Sequence, residues 1–307
     1  MDFYSRNRPL GVIAYGDHPS GDWPCQLRCS LAPAAGGQAF EIWQVADEVE
    51  EVRAGNVVGT VSRDYAFGAI EVPEDPALPL ETSIESAYRE LLLFLDQVRF
   101  PQPLRFWNYL SRITENQVGM ERYWRFNIGR QRAFQDILRQ AVPPVASCIG
   151  CEGPASIIYV LAAKHPACAI ENPRQVSAYA YPPSYGPVSP SFSRASRHSL
   201  HGLDTLFISG TASIVGHETC HVADFDAQLK ETVKNLGVMM DLTGQGAARD
   251  GQWAVKTYLR DLHKAEQLDA ALKIMLPAGS QRLHLRGDIC RKELLLEIEA
   301  VRCAEPT

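Results

Sequence analysis

The pair Pro143-Pro144, followed by the turn-rich stretch from Ser147 to Pro154, is the strongest break in the 307-residue chain. Proline cannot continue a helix and pushes the residue before it toward extended backbone. On either side of the break, strand-like runs are followed by helical ones. In the first half PLGVIAYG, AFEIWQV, VVGTVS and YAFGAIEV read as strands bounded by Gly, Asp and Pro. Thr82 or Ser83 can cap a helix in which Ile84, Ala87, Leu91, Phe94 and Leu95 share one face. LRFWNYLSRI follows as a strand, and a second helix, carrying RQRAFQDILRQ, is expected to begin near Gly129. The second half runs ASIIYVLAA, then a long irregular loop, then the strand FISGTASIVG. Asp224 or Asp226 can cap the next helix, which aligns Leu229, Val233 and Leu236. The order strand, helix, strand, strand closes the chain as WAVKTYLRD, KAEQLDAALKIML, QRLHLRGDIC and LLLEIEAV. Such an order predicts an α+β fold of two domains, residues 1–144 and 145–307. Each is expected to be a mostly antiparallel or mixed sheet with helices packed on one face.

A net charge of −6 lacks the basic excess that a nucleic-acid surface needs, so an anionic ligand would have to be held by local clusters of arginine. The first residues contain charges and a proline and no apolar run of signal length, and no window is long enough to span a membrane; a cytoplasmic protein is expected. Eight cysteines are scattered through the chain, the pattern of reduced thiols. Cys148 and Cys151 form a CxxC, but a strand rather than the helix of a redox motif follows it. A zinc site there would need Cys25 and Cys29 to complete it. Residues 217 to 221 spell His-Glu-Thr-Cys-His, the HExxH pattern of zinc hydrolases, which requires a helix through both histidines. Here the pattern follows a strand, and the helix is expected only after it. His217 and His221 are therefore read as orienting the loop by hydrogen bonds, with neither metal nor cofactor expected.

Between Asn172 and His198 lie three arginines (174, 194, 197) and three tyrosines (179, 181, 185) in a Ser- and Pro-rich loop. Irregular segments of this kind carry binding groups on a rigid scaffold. Arginine suits planar, bidentate capture of carboxylates, and Arg130, Arg174, Arg194 and Arg286 are the candidates. Near the C-terminus Glu297 and Glu299 alternate with apolar residues, so they share a strand face. They are either a solvated face or a pair in which burial and mutual repulsion raise one carboxyl.

The segments RFNIGRQRAF, NPRQVSAYAYPPSYGPVSPSFSRA, FISGTASIVGHET and CRKELLLEIEA resemble the chorismatases, whose fold is built from domains like those of the Rid (YjgF) proteins. The resemblance implies an enzyme that splits chorismate into pyruvate and a ring acid, with the active site lined mainly by the C-terminal domain. On matching motif positions Glu297 falls as the general acid, and Arg130, Tyr185 and Arg194 fall as substrate contacts. Thr211 and Ala212 fall on the pocket-lining turn. Cys290 stands seven residues before the glutamate, as in members that make 3-hydroxybenzoate, whereas those members tend to carry Gly at the position of Ala212. Cys290 either packs or steers the intermediate. A 3-/4-hydroxybenzoate mixture, hydrolysis to the dihydroxycyclohexadiene acid, and a Rid-like imine deaminase or ligand-binding module are the other readings. The working unit is expected to be a monomer or a homotrimer.

Overall fold

The computed structural model describes residues 8–16, 26–75, 77–138, 142–243 and 251–304. Cys25 and the last residues expected in the second helix, 139–140, lie outside them. Two large mixed sheets dominate the described residues. The first has seven strands in the order Asp288–Ile289, Val145–Cys151, Gln102–Ser111, Ala155–Ala163, Tyr65–Pro73, Val57–Val61 and Glu50–Ala54. The second has six, in the order Cys168–Ile170, Ala195–Leu200, Leu203–Thr211, Leu296–Ala304, Gln252–Leu259 and Gln281–Arg286. A small sheet of Gln26–Cys29, Gly11–Gly16 and Gln38–Trp43 completes the core.

Each large sheet carries two helices on one face, as expected. Helices α1 (Leu80–Gln97) and α2 (Arg122–Ile137) cover the seven-stranded sheet, with Ile84, Tyr88, Leu91 and Phe94 packed on Ile70, Phe106, Ile158 and Val160. Helices α3 (Phe225–Thr243) and α4 (Ala265–Met275) cover the six-stranded one, with Leu229, Leu236, Leu268 and Leu272 packed on Leu206, Val255 and Ile298. The uncovered faces meet each other. Phe67, Trp107 and Tyr159 of one sheet share a core with Phe207, Tyr258 and Leu285 of the other and with Ile13 and Tyr15 of the small sheet. Alternation along Leu296–Ala304 therefore puts Leu296, Ile298 and Ala300 under the helices and turns Glu297, Glu299 and Val301 inward between the sheets.

Three expectations are corrected. The strands Val145–Cys151 and Ala155–Ala163, assigned to the second half by the proline break, flank Gln102–Ser111 inside the seven-stranded sheet. The sheets divide after Ala163, because α2 is the crossover that delivers Val145–Cys151 parallel to Gln102–Ser111. Helix α2 starts at Arg122 rather than near Gly129. Gly129 marks the close crossing of α1, where a Cβ would stand 2.3 Å from the Glu81 carbonyl oxygen. Helix α1 begins at Leu80 behind Pro79 with no side-chain cap, which leaves Thr82 and Ser83 inside its first turn.

Candidate active site

A cavity of about 500 Å³ opens where the two sheets meet, within the range of small-molecule sites. Its floor is the strand carrying Glu297. Opposite it runs Leu203–Thr211, whose register slips between Ile208 and Thr211, so one extra residue bulges at Ser209-Gly210. The bulge makes room for the acid. A Cβ on Gly210 would lie 1.8 Å from Glu297 Oε1, so only glycine lets the carboxyl pass into the cavity. Thr211 folds back on the bulge and donates to the Ser209 carbonyl at 3.0 Å.

The two glutamates of this strand have opposite surroundings. Glu299 is ringed by partners: Lys256 Nζ at 2.9 Å, Arg105 Nη2 at 3.0 Å, the Ser147 hydroxyl at 2.6 Å and Trp107 Nε1 at 2.9 Å. Burial opposes its charge, but Lys256, Arg105 and the Ser147 hydrogen bond win and hold its pKa at about 2. Glu297 is 5% exposed and has no ion-pair partner among the described residues. Burial first, and the charge of Glu299 second, push it up to about 8 against the opposing pull of Arg194 and Arg105. At neutral pH the free site holds mostly a carboxylic acid at 297 and a carboxylate at 299.

Three arginines face this cavity without an ion-pair partner among the described residues. Arg130, from α2, donates to Asn127 Oδ1 at 2.9 Å and lies over the Phe126 ring, leaving its buried Nε unpartnered. Arg194 donates to the Tyr181 hydroxyl at 2.7 Å and the Val176 carbonyl at 3.0 Å, again leaving Nε unpartnered. Arg291 stacks 4.0 Å from the centre of the Tyr185 ring and is anchored by the His217 carbonyl at 2.8 Å. Arg130 and Arg194, buried and each with a spare donor, are suited to capture an anion. Tyr181 and Tyr185 from the long loop wall the cavity, while Tyr179 is exposed. Cys290 and Cys148 complete the wall. Burial, helped by the neighbouring Glu297, pushes the Cys290 sulfur up to about 12, so it is a thiol.

The HExxH pattern does not form a helix. Ile214–Val215 and Glu218–Thr219 pair as a hairpin, and α3 begins only at Phe225, with Asp224 Oδ1 accepting from the Ala227 amide at 3.0 Å. His217 Nδ1 lies 3.4 Å from the Tyr185 hydroxyl and His221 Nε2 lies 3.6 Å from Glu231, so the two rings serve different partners.

The profile described as "Chorismatase FkbO/Hyg5-like, N-terminal" matches residues 41–162. Its end agrees with the division of the sheets after Ala163. The chain is 31% identical over 311 residues to a 3-hydroxybenzoate synthase of Streptomyces hygroscopicus, covering 95% of this chain and 91% of that protein. This chain belongs to the chorismatase family. It is also 33% identical to a chorismatase of Streptomyces rapamycinicus over 85% of this chain and 81% of the relative. A chorismatase crystal structure at 1.08 Å resolution superposes with a TM-score of 0.88 at 26% identity, over 98% of this chain and 95% of that one.

Of the residues that the chorismatase motifs single out, Glu297, Cys290, Arg130, Tyr185, Arg194 and Ala212 line one cavity. Arg174 does not; it is an anchor that ties the loop to α3 through Glu231 and Asn235. Nor does Arg286, which is exposed and 3.5 Å from Glu152. The reason is a break in the strand: Gln281–Arg286 ends there, and Asp288–Ile289 crosses to the other large sheet, so Arg286 and Cys290 share no face. Thr211 is beside the wall but has its hydroxyl committed to the bulge. Arg291 and Gly210 were not singled out. Arg291 sits next to Cys290 in an Arg-Lys-Glu run that reads as solvated surface, and its stacking on Tyr185 is a contact across 106 residues that periodicity cannot show.

Proposed function

We propose that this protein cleaves chorismate to pyruvate and a hydroxybenzoic acid, chiefly 3-hydroxybenzoate. The observation that carries this reading is a buried carboxylic acid, raised to about 8, in a cavity lined by three arginines without ion-pair partners among the described residues. Chorismate is a dianion with an enol ether, and both features are met. Arg130, Arg194 and Arg291 supply planar donors for the two carboxylates, and the Tyr185 hydroxyl adds a further polar contact. Glu297 gives its proton to the enolpyruvyl methylene carbon, which turns the side chain into an oxocarbenium ion and weakens its bond to the ring. Pyruvate then leaves with the electron pair of the ring carbon–oxygen bond; the ring hydroxyl shifts to that carbon for the 3-hydroxy acid, and loss of one ring proton makes the ring aromatic and replaces the proton that Glu297 gave. Pyruvate and a hydroxybenzoic acid together hold all the atoms of chorismate, so this outcome consumes no net water, whereas the dihydroxycyclohexadiene acid requires one water. Every step is a proton transfer or a bond rearrangement within the substrate, and the chemistry calls for no cofactor or metal.

Cys290 on the cavity wall, and the name of the S. hygroscopicus relative, support 3-hydroxybenzoate as the product. Ala212, 3% exposed on the same wall, favours some 4-hydroxybenzoate beside it, because the extra methyl changes how the ring lies. A Rid-like deaminase module is the weaker reading, since the loop packs over a cavity built wholly within one chain. Because one chain supplies the whole lining of that cavity, a monomer suffices for the proposed reaction, and the homotrimer is the alternative. Among the described residues no helix is long and apolar enough to cross a membrane.

Purified, chelator-treated protein incubated with chorismate tests the reading. Pyruvate, followed by a coupled assay, together with an aromatic acid separated by chromatography is the expected result. No pyruvate at any pH would sink it.

A further inference from the structure

The acid at 297 stands beside a second, fully clamped carboxylate whose partners reach across both sheets. Lys256 bridges Glu299 at 2.9 Å and Glu41 at 2.6 Å, and Glu41 in turn accepts from the Tyr15, Tyr159 and Trp43 side chains at 2.7, 3.1 and 2.8 Å. On its other side Glu299 meets Arg105, whose Nη1 donates to the Ile208 carbonyl at 2.6 Å, at the edge of the bulge that admits Glu297. Glu41, Lys256, Glu299 and Arg105 thus alternate in sign and sum to zero, all between the sheets. None of the four touches the cavity that holds Glu297; Ser147, which donates to Glu299, is their link to its wall.

We propose that Glu299 is a positioning residue for the reaction: its fixed negative charge, two residues along the same strand face, keeps Glu297 a proton donor. This rests on the chorismate-cleaving reading of the cavity. Arg130, Arg291, Lys292, Glu121, Glu218 and Glu293 line the same cavity, but the charges that move Glu297 are fewer. Its own strand contributes Glu299, the neighbouring strand of the seven-stranded sheet contributes Arg105, and the loop before Ala195–Leu200 contributes Arg194. Cys148 and Cys290 face it as neutral thiols, and Tyr258, its register partner, stays a neutral phenol. The two arginines pull Glu297 toward ionisation, and Glu299 is the anion that opposes them. Burial opposes the arginines too, but without that anion the balance shifts toward the carboxylate, and less of Glu297 keeps the proton needed for the enol ether at neutral pH.

Glu299→Gln keeps the shape and removes the charge; Lys256→Met combined with Glu299→Gln removes the pair and keeps the buried network neutral. The readout is the pH profile of kcat/KM for pyruvate release from chorismate. The wild-type profile should fall as pH rises through about 8. In both variants the falling limb should move toward acid by at least about one pH unit, the low end expected for removal of a nearby charge. Each variant at pH 8 then works about tenfold below its own acid plateau, and acidification restores it. A limb that stays in place while the whole profile drops would overturn the proposal, as would failure of both variants to fold. The infrared band of a protonated buried carboxyl, present in the wild type and absent from Glu297→Gln, reads the same coupling without turnover. If wild-type protein releases no pyruvate the cleavage reading fails; if the band titrates alike with and without Glu299 the positioning role fails.

Discussion

Glu297 and Glu299 are the same residue type on the same face of one strand, yet one is held at about 8 and the other at about 2. The difference is partnership: Glu299 is paired with Lys256 and Arg105 and accepts from Ser147 and Trp107, whereas Glu297 has no ion-pair partner among the described residues. Glu297→Gln keeps the shape without a proton to give. Pyruvate release should fall at least about a hundredfold, the lower range for loss of a general acid, with unchanged circular dichroism. The same change should alter stability in a pH-dependent way. A carboxyl raised to about 8 in the fold contributes stability that is full below its unfolded value near 4.5 and is lost as pH climbs to about 8. The melting temperature of Glu297→Gln, compared with wild type, should therefore rise progressively from pH 5 to pH 8. Cys290 is a thiol at every pH in this window, so it acts by shape and weak hydrogen bonding. Cys290→Ala should change the ratio of 3- to 4-hydroxybenzoate more than the rate, as chromatography of the ring products would read; an unchanged ratio with lowered stability would make it packing alone.

At the level of elements, the site depends on a bulge. Leu203–Thr211 carries one extra residue opposite Leu296–Ala304, and Gly210 at that point leaves the space that Glu297 Oε1 fills. Gly210→Ala puts a methyl where the carboxyl lies, so either the bulge or the acid must move. The expected outcome is a loss of kcat of about tenfold or more with a smaller change in KM, because proton delivery depends on sub-ångström placement. Steady-state kinetics on chorismate would measure it. Helices α1 and α2 show the same principle away from the site. Gly129 reads in the sequence as a helix start, but its lack of a side chain serves the contact with Glu81.

Across the whole molecule, the two halves share one inner core, and the second half lends strands to the first large sheet. Asp288–Ile289, near the C-terminus, pairs with Val145–Cys151 in the sheet built mostly from the first half. Calorimetry should show one cooperative unfolding transition, and a cut between Pro144 and Val145 should leave neither piece folded, since it removes two strands from the middle of the seven-stranded sheet. The composition of the elements was legible in the residues: helical periodicity marked the buried faces of α1 and α3, and the alternation in LLLEIEAV put Glu297 and Glu299 on one side of a strand. The motif segments carried Arg130, Tyr185, Arg194, Ala212 and Cys290 to the cavity. What these patterns could not decide was which side of that strand is dry, because alternation looks the same whether the polar face meets water or another sheet. Nor could they tell that Arg174 ends on Glu231 while Arg291 ends on Tyr185. Local spacing determines periodicity and turn chemistry, whereas burial, pKa and the pairing of distant charges arise only when strands far apart in the chain are brought face to face.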